Sequence, residues 1–217
     1  HMLPIYHTHG LFVACNLLAI VGGSIIFLEK FDVKEALFWM KDATSMMGVP
    51  TFYTRLLASD ELNTDATQHI RLFISGSAPL LSETHIEFER RTGKKILERY
   101  GMTETNMNTS NPYDGERKAG TVGIPLPGVE IRVVNEEGHL VEHGKIGTIE
   151  LKGENVFSGY WGMKEKTKEA FKKDGFFITG DLAQRDEDGY LIIVGRDKDM
   201  IISCLLYTSP SPRDTLL

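Results

Sequence analysis

Residues 70–105 read IRLFISGSAPLLSETHIEFERRTGKKILERYGMTET, and the alternation of texture within them decides the fold. Ile70 to Ser75 is an apolar, strand-like run, Ser82 is placed to cap a helix running to Thr92, Gly93 ends that helix, and Ile96 to Tyr100 is the next strand. Strand, helix and strand in that order require a right-handed crossover and a parallel sheet covered on both faces, with ligands received at the carboxyl ends of the strands. The same rhythm extends toward the N-terminus. Asp32 is positioned to cap an amphipathic run from Val33 to Lys41 whose Ala36, Leu37 and Met40 share a face. Met46 to Val49 reads as a buried strand stopped by Pro50, and Thr51 to Leu57 as a helix.

Further toward the N-terminus, Leu11 to Leu28 carries no charge and is long enough to be weighed as a membrane span. Gly22-Gly23 divides it into a helix stop and a buried strand, Ser24 to Phe27, each too short to cross a bilayer, so no membrane insertion is expected. Leu3 to Tyr6 reads as strand. From Gly128 the texture changes to strands and turns: Glu130 to Val134, a turn at Asn135 to Gly138, Gly147 to Leu151, turns at Asp174-Gly175 and Asp188-Gly189, and a strand from Tyr190 to Val194. The expectation is an α/β fold: residues 1–127 with parallel sheets and flanking helices, then a smaller antiparallel or barrel-like β subdomain over residues 128–195.

Composition limits the partners. Of 217 residues, 24 are Lys or Arg and 30 are Asp or Glu, a net charge of −6, so no basic face is offered to a polyanion and nucleic acid is not an expected partner. Two cysteines, Cys15 and Cys204, cannot build a disulfide framework, and a reducing compartment fits. No basic segment with a cleavage site opens the chain, so the reading is cytoplasmic, or mitochondrial for a eukaryotic parent with a missing transit peptide. His1-Met2 reads as a cloning scar, with the chain entering in mid-domain. Residues 204–217, with Ser209-Pro210-Ser211-Pro212, break every earlier pattern. They resemble one reading frame of a transposase adapter used in DNA library preparation, and a non-native tail is expected; a natural Ser/Pro-rich tail is the alternative.

Small residues in Ser75-Gly76-Ser77-Ala78-Pro79, between a strand and a helix, let backbone approach a flat or phosphate-bearing ligand, although most such turns are simply turns. Arg99-Tyr100-Gly101-Met102-Thr103-Glu104-Thr105 offers an aromatic ring, hydroxyls and a carboxylate at the next strand end, suited to base stacking, phosphate binding and Mg²⁺ ligation. A helix start capped by Thr103 is the plainer reading. Thr179-Gly180-Asp181 and Gly195-Arg196 are weaker alone, because Asp after Gly usually just makes a turn.

Together, His7-Thr8-His9-Gly10, Ser75 to Pro79, Tyr100 to Glu104, Gly159-Tyr160-Trp161, Thr179-Gly180-Asp181 and Gly195 to Asp199 resemble the successive core motifs of the adenylate-forming superfamily of acyl-CoA synthetases, luciferases and peptide-synthetase adenylation domains. The resemblance covers residues 1–203. It implies that Tyr100 and Gly101 meet adenine beside the backbone of Ser75, Gly76, Ser77, Ala78 and Pro79, that Thr103 bonds the phosphate, and that Glu104 holds Mg²⁺. It further implies that Asp181 accepts from both ribose hydroxyls, that Arg196 contacts the ribose side, and that His7 lines the meeting point of carboxylate and α-phosphate. The implied chemistry consumes ATP to make an acyl adenylate, then coenzyme A to make the thioester, with a carboxylic acid as substrate.

Lys198 matches the hinge position of the superfamily, within a hinge segment at residues 196–203 leading to a C-terminal domain. The superfamily's triphosphate loop would lie before His1 and its adenylation lysine after Ser203, so turnover by these residues alone is not expected. Arg99 speaks to the acid. Relatives acting on long acyl chains usually have a small residue directly before the Tyr-Gly pair, and an unpaired guanidinium facing an alkyl chain would cost several kcal/mol. A second carboxylate would meet it in a bidentate pair. Residues Glu98 to Met107 with His7 to Gly10 look most like the malonyl-CoA synthetases, which makes malonate the expected acid, with methylmalonate or another short acid as the alternative. Two plainer readings remain open: Arg99 turned to solvent or paired with Glu98 or another acid, and His9 as a packed helix-start histidine rather than a second carboxylate ligand. A non-catalytic nucleotide-binding fragment is the reading from a different class.

Overall fold

The structure, a computed structural model, describes residues 1–197. Lys198 and residues 199–203 of the hinge segment, with the 204–217 tail, lie outside the described residues. The chain divides into two compact units, His1–Pro127 and a second from Gly128 onward.

In the first unit, helix α1 runs π-helically over His9–Asn16 and α-helically over Leu17–Ile20. Then come α2 (Val33–Met40), β1 (Ser45–Gly48), α3 (Pro50–Leu57), β2 (Leu72–Ser75), α4 (Ser82–Thr92), β3 (Ile96–Met102), β4 (Asn106–Ser110) and β5 (Ile124–Pro125). The strands form one sheet in the order β1-β2-β3-β4-β5. β1, β2 and β3 are parallel, with Met46 beside Phe73 and Ile74 beside Leu97, while β4 and β5 add antiparallel. A single mixed sheet thus stands where parallel sheets are expected.

Local chemistry accounts for the helix ends. The Asp32 carboxylate accepts from the N–H groups of Lys34 and Glu35 at 2.9 and 3.0 Å, capping α2. Pro50, which ends the β1 run, supplies the first residue of α3, where its missing N–H costs nothing. Gly93 closes α4 at φ +68°. Ser82 does not cap α4; Leu81 holds that position without a side-chain bond. Behind the sheet, Tyr53, Phe73 and Phe88 are fully buried and meet edge to face, with centroids 4.8 to 6.5 Å apart. Each such contact adds roughly 0.5–1.5 kcal/mol to the burial itself.

Two expected strands are absent. Leu3 to Tyr6 forms a turn, the Pro4 carbonyl accepting from His7 N–H. Ser24 to Phe27 forms no strand and, rather than buried, leaves Ile25 and Phe27 exposed; beside it the Ile26 carbonyl accepts from the His1 amino group and Leu28 N–H donates to the His1 carbonyl. Among the described residues, no helix is long and apolar enough to cross a membrane.

The second unit is a four-stranded antiparallel sheet, β6 (Glu130–Val134), β7 (Gly147–Lys152), β8 (Phe177–Arg185) and β9 (Leu191–Arg196), in sequential order, with helix α5 (Lys164–Ala170) before β8. It is an open meander among the described residues, with no recorded pairing of β9 to β6 to close a barrel. The turns at Gly138, Gly175 and Gly189 each take a bond from the glycine N–H to the carbonyl three residues back.

Candidate active site

The loop after β2 is shaped by backbone constraint. Ser75 is 1% exposed, and Ser77 sits at φ +70°, a left-handed conformation costly for a residue with a Cβ. His9, at the π-helical start of α1, holds it: Nδ1 lies 3.1 Å from Ser77 Oγ. A Cβ on Gly76 would lie 3.4 Å from His9 Cε1 and 3.7 Å from the Arg99 carbonyl oxygen, so the loop, α1 and β3 converge at this glycine. Gly10 allows the approach of α1, since a Cβ there would strike the Pro4 carbonyl. His9 is buried, and its pKa is pushed down to about 4 by that burial first, then by His7 and by the Arg99 guanidinium. It is a neutral imidazole near pH 7. His7 is exposed, and its Nδ1 accepts from His9 N–H at 3.3 Å.

β3 continues into a hairpin rather than a helix. Thr105 N–H bonds the Met102 carbonyl, Asn106 follows at φ +55°, and Thr103 and Glu104 stand at the tip. A bulge sets Tyr100 and Gly101 against Thr109 and Met107. Gly101 has no substitute, because a Cβ would collide with the Asn106 carbonyl. The Thr8 hydroxyl, overlooked between His7 and His9, reaches Thr103 Oγ1 at 3.5 Å and ties α1 to the tip. Tyr100 is 9% exposed, which leaves little of its ring open to a base.

Side chains on β3 alternate between faces. Glu98 is bonded to His85 of α4, not to Arg99. Arg99 is half-buried, its Nε donates to Ser110 Oγ at 3.2 Å, and its guanidinium has no carboxylate partner among the described residues. Burial lowers its pKa, the direction expected of a cation deprived of both water and an anion.

In the second unit, Thr179-Gly180-Asp181 is not a turn but a bulge within β8. Thr148 faces Leu182 and Glu150 faces Ile178, so three residues of β8 oppose Ile149 alone. Gly180 takes φ +75°, and Thr179 Oγ1 donates to the Ile149 carbonyl and accepts from Asp181 N–H, at 2.9 and 3.0 Å. Asp181 is 5% exposed and faces Arg196 across β8 and β9, with Arg196 Nε 3.0 Å from its Oδ1. The two expected ribose contacts therefore already bond each other.

No three His, Cys, Asp or Glu side chains gather as a metal cluster among the described residues. Glu104 stands beside Thr103 on the hairpin tip.

Residues 1–161 match the family of AMP-binding enzymes. The chain belongs to that family. It is 60% identical to MatB from Rhodopseudomonas palustris, crystallised with ATP bound, with a TM-score of 0.93 over 97% of this chain and 42% of that one. A malonyl-CoA ligase solved as a ternary product complex with methylmalonyl-CoA and AMP is 44% identical, with a TM-score of 0.80 over 93% of this chain and 45% of that one. A malonate–CoA ligase of Arabidopsis thaliana is 40% identical over 219 residues, 91% of this chain and 35% of the plant protein. The chain thus spans less than half the length of these relatives.

Proposed function

We propose that this chain supplies the acid- and nucleotide-recognition part of an ATP-dependent ligase that converts a short dicarboxylic acid, malonate foremost, to its acyl adenylate and then to its CoA thioester. The observation that carries the reading is Arg99, a half-buried guanidinium with no carboxylate partner among the described residues, beside a neutral His9. One carboxylate of the acid would pair with Arg99 while the other attacks the α-phosphorus of ATP, expelling pyrophosphate; the CoA thiol would then displace AMP. Likeness to the malonyl-CoA ligase of the ternary complex and to the plant malonate–CoA ligase supports the acid class.

In this reading the chain's own residues position and neutralise rather than form bonds. His9 offers a hydrogen bond without a second charge. Thr103 bonds phosphate, Tyr100 and the backbone of residues 75–79 bound the adenine, and Asp181 with Arg196 takes the ribose. Mg²⁺ on Glu104 would supply charge neutralisation at the phosphates. Methylmalonate is the second reading, favoured by the product held by the relative's ternary complex.

Fused to the remaining segments of R. palustris MatB, the chain should support malonate-dependent exchange of labelled pyrophosphate into ATP, at roughly tenfold or more the rate with acetate. Equal rates with the two acids would remove the dicarboxylate and leave a general adenylating site.

A further inference from the structure

Behind the site lies a polar pair that the proposed chemistry does not use. His85, in the first turn of α4, and Glu98, on β3, are 1% and 3% exposed, with His85 Nδ1 3.0 Å from Glu98 Oε1. Glu98 is a junction of three elements. Its carboxylate takes His85 from α4 and the backbone N–H of Gly120, and its carbonyl accepts from Asn111 N–H at 2.9 Å. On one side it is followed directly by Arg99. On the other, its register partner on β2 is Ser75, where the loop toward α4 begins, and His85 stands just beyond that loop's far end.

The proton on His85 can be placed. Nε2 is buried with no hydrogen-bond partner. An imidazolium would leave a charged N–H donor there, and the Nε2–H tautomer would leave a neutral one while turning the Nδ1 lone pair against the carboxylate. The neutral Nδ1–H form leaves only an acceptor unsatisfied and donates to Glu98. The nearby Tyr53 hydroxyl is committed to the Ile74 carbonyl and does not compete.

We propose that His85 is a positioning residue: by donating Nδ1–H to Glu98 it fixes the stretch of β3 that presents Arg99 and both ends of the loop over residues 76–81. The clamp stands on geometry alone; its use in acid binding rests on the function proposed above.

Nuclear magnetic resonance on the whole ¹⁵N-labelled chain tests it. His85 should show the neutral Nδ1–H tautomer at pH 7. His85→Leu should shift the Arg99 Nε–H resonance and the Gly76 and Ser77 amides while leaving the β7 amides unmoved. His85→Asn, whose amide N–H stands near the Nδ1 position, should restore them. Titrated malonate should bind about tenfold more weakly to the Leu variant and within about threefold of wild type to the Asn variant. An Nε2–H tautomer or an imidazolium, unmoved resonances in His85→Leu, or an Asn variant no better than the Leu variant would each overturn the proposal. Should His85→Leu fail to fold, the tautomer and the Asn variant decide. Should wild type bind no malonate, the dicarboxylate reading falls, and the resonances still judge the clamp.

Discussion

His9 shows how one side chain can report on the proposed acid site. Buried against Gly76, bonded to Ser77 and facing Arg99, it is held neutral, its pKa depressed to about 4 from an unfolded value near 6.5. Between those values the unfolded chain binds the extra proton and the folded chain does not, so folding stability falls as pH drops from about 6.5 toward 4. The contribution is full above pH 6.5, and the loss is at most about 3 kcal/mol. Denaturant melts at pH 7 and pH 4.5 should therefore differ more in wild type than in His9→Gln; equal pH slopes would contradict the buried neutral state. Residue-level chemistry of this kind was half legible in sequence. The His-Thr-His-Gly motif marked His9, but the same motif concealed Thr8, whose hydroxyl meets the hairpin tip. His85 and Glu98 lie 13 positions apart on a helix and a strand, with nothing in linear spacing to join them.

At the scale of elements, two bulges do the positioning, one before the hairpin where the plainer sequence reading is a helix start capped by Thr103, the other where it is a turn. The β3–β4 hairpin rests on Gly101, which no side chain can replace, and on Asn106 in the left-handed region. Asn tolerates that region and Gly enters it freely, whereas a β-branched residue does not. Asn106→Val should lower stability by about 1–2 kcal/mol and weaken nucleotide binding by moving Thr103 and Glu104, while Asn106→Gly should be nearly neutral. Calorimetry and ATP titration of the two variants check this; a Val variant as stable as the Gly variant would mean that the hairpin tip is not fixed as described. The Thr179-Gly180-Asp181 segment carries a turn's local signal, a glycine at positive φ. It becomes a bulge because β7 supplies a partner on one side, and a partner strand is invisible in local sequence.

For the whole molecule, the parallel strands and their helices were legible because each strand is a short apolar run bounded by a cap, a proline or a glycine, and each finds its neighbour through a short crossover. Leu3 to Tyr6 and Ser24 to Phe27 satisfied the same apolar criterion, yet the first closes as a turn on Pro4 and the second pairs with no strand among the described residues. Neither run is buried as expected, since Ile5, Tyr6, Ile25 and Phe27 are exposed: an apolar run without a ladder partner specifies neither a strand nor burial. Family membership was more legible than fold at these margins, since ordered motifs identify a family even where local structure is misread. Selection of a dicarboxylate by Arg99 is tested most directly by the ratio of kcat/KM for malonate to that for acetate, measured in the MatB fusion with and without Arg99→Ala. Taking a ratio cancels general damage to folding or ATP binding. The ratio should fall by the equivalent of about 2–5 kcal/mol, with malonate losing rate and acetate holding steady or gaining. An unchanged ratio, or equal losses for both acids, would contradict it.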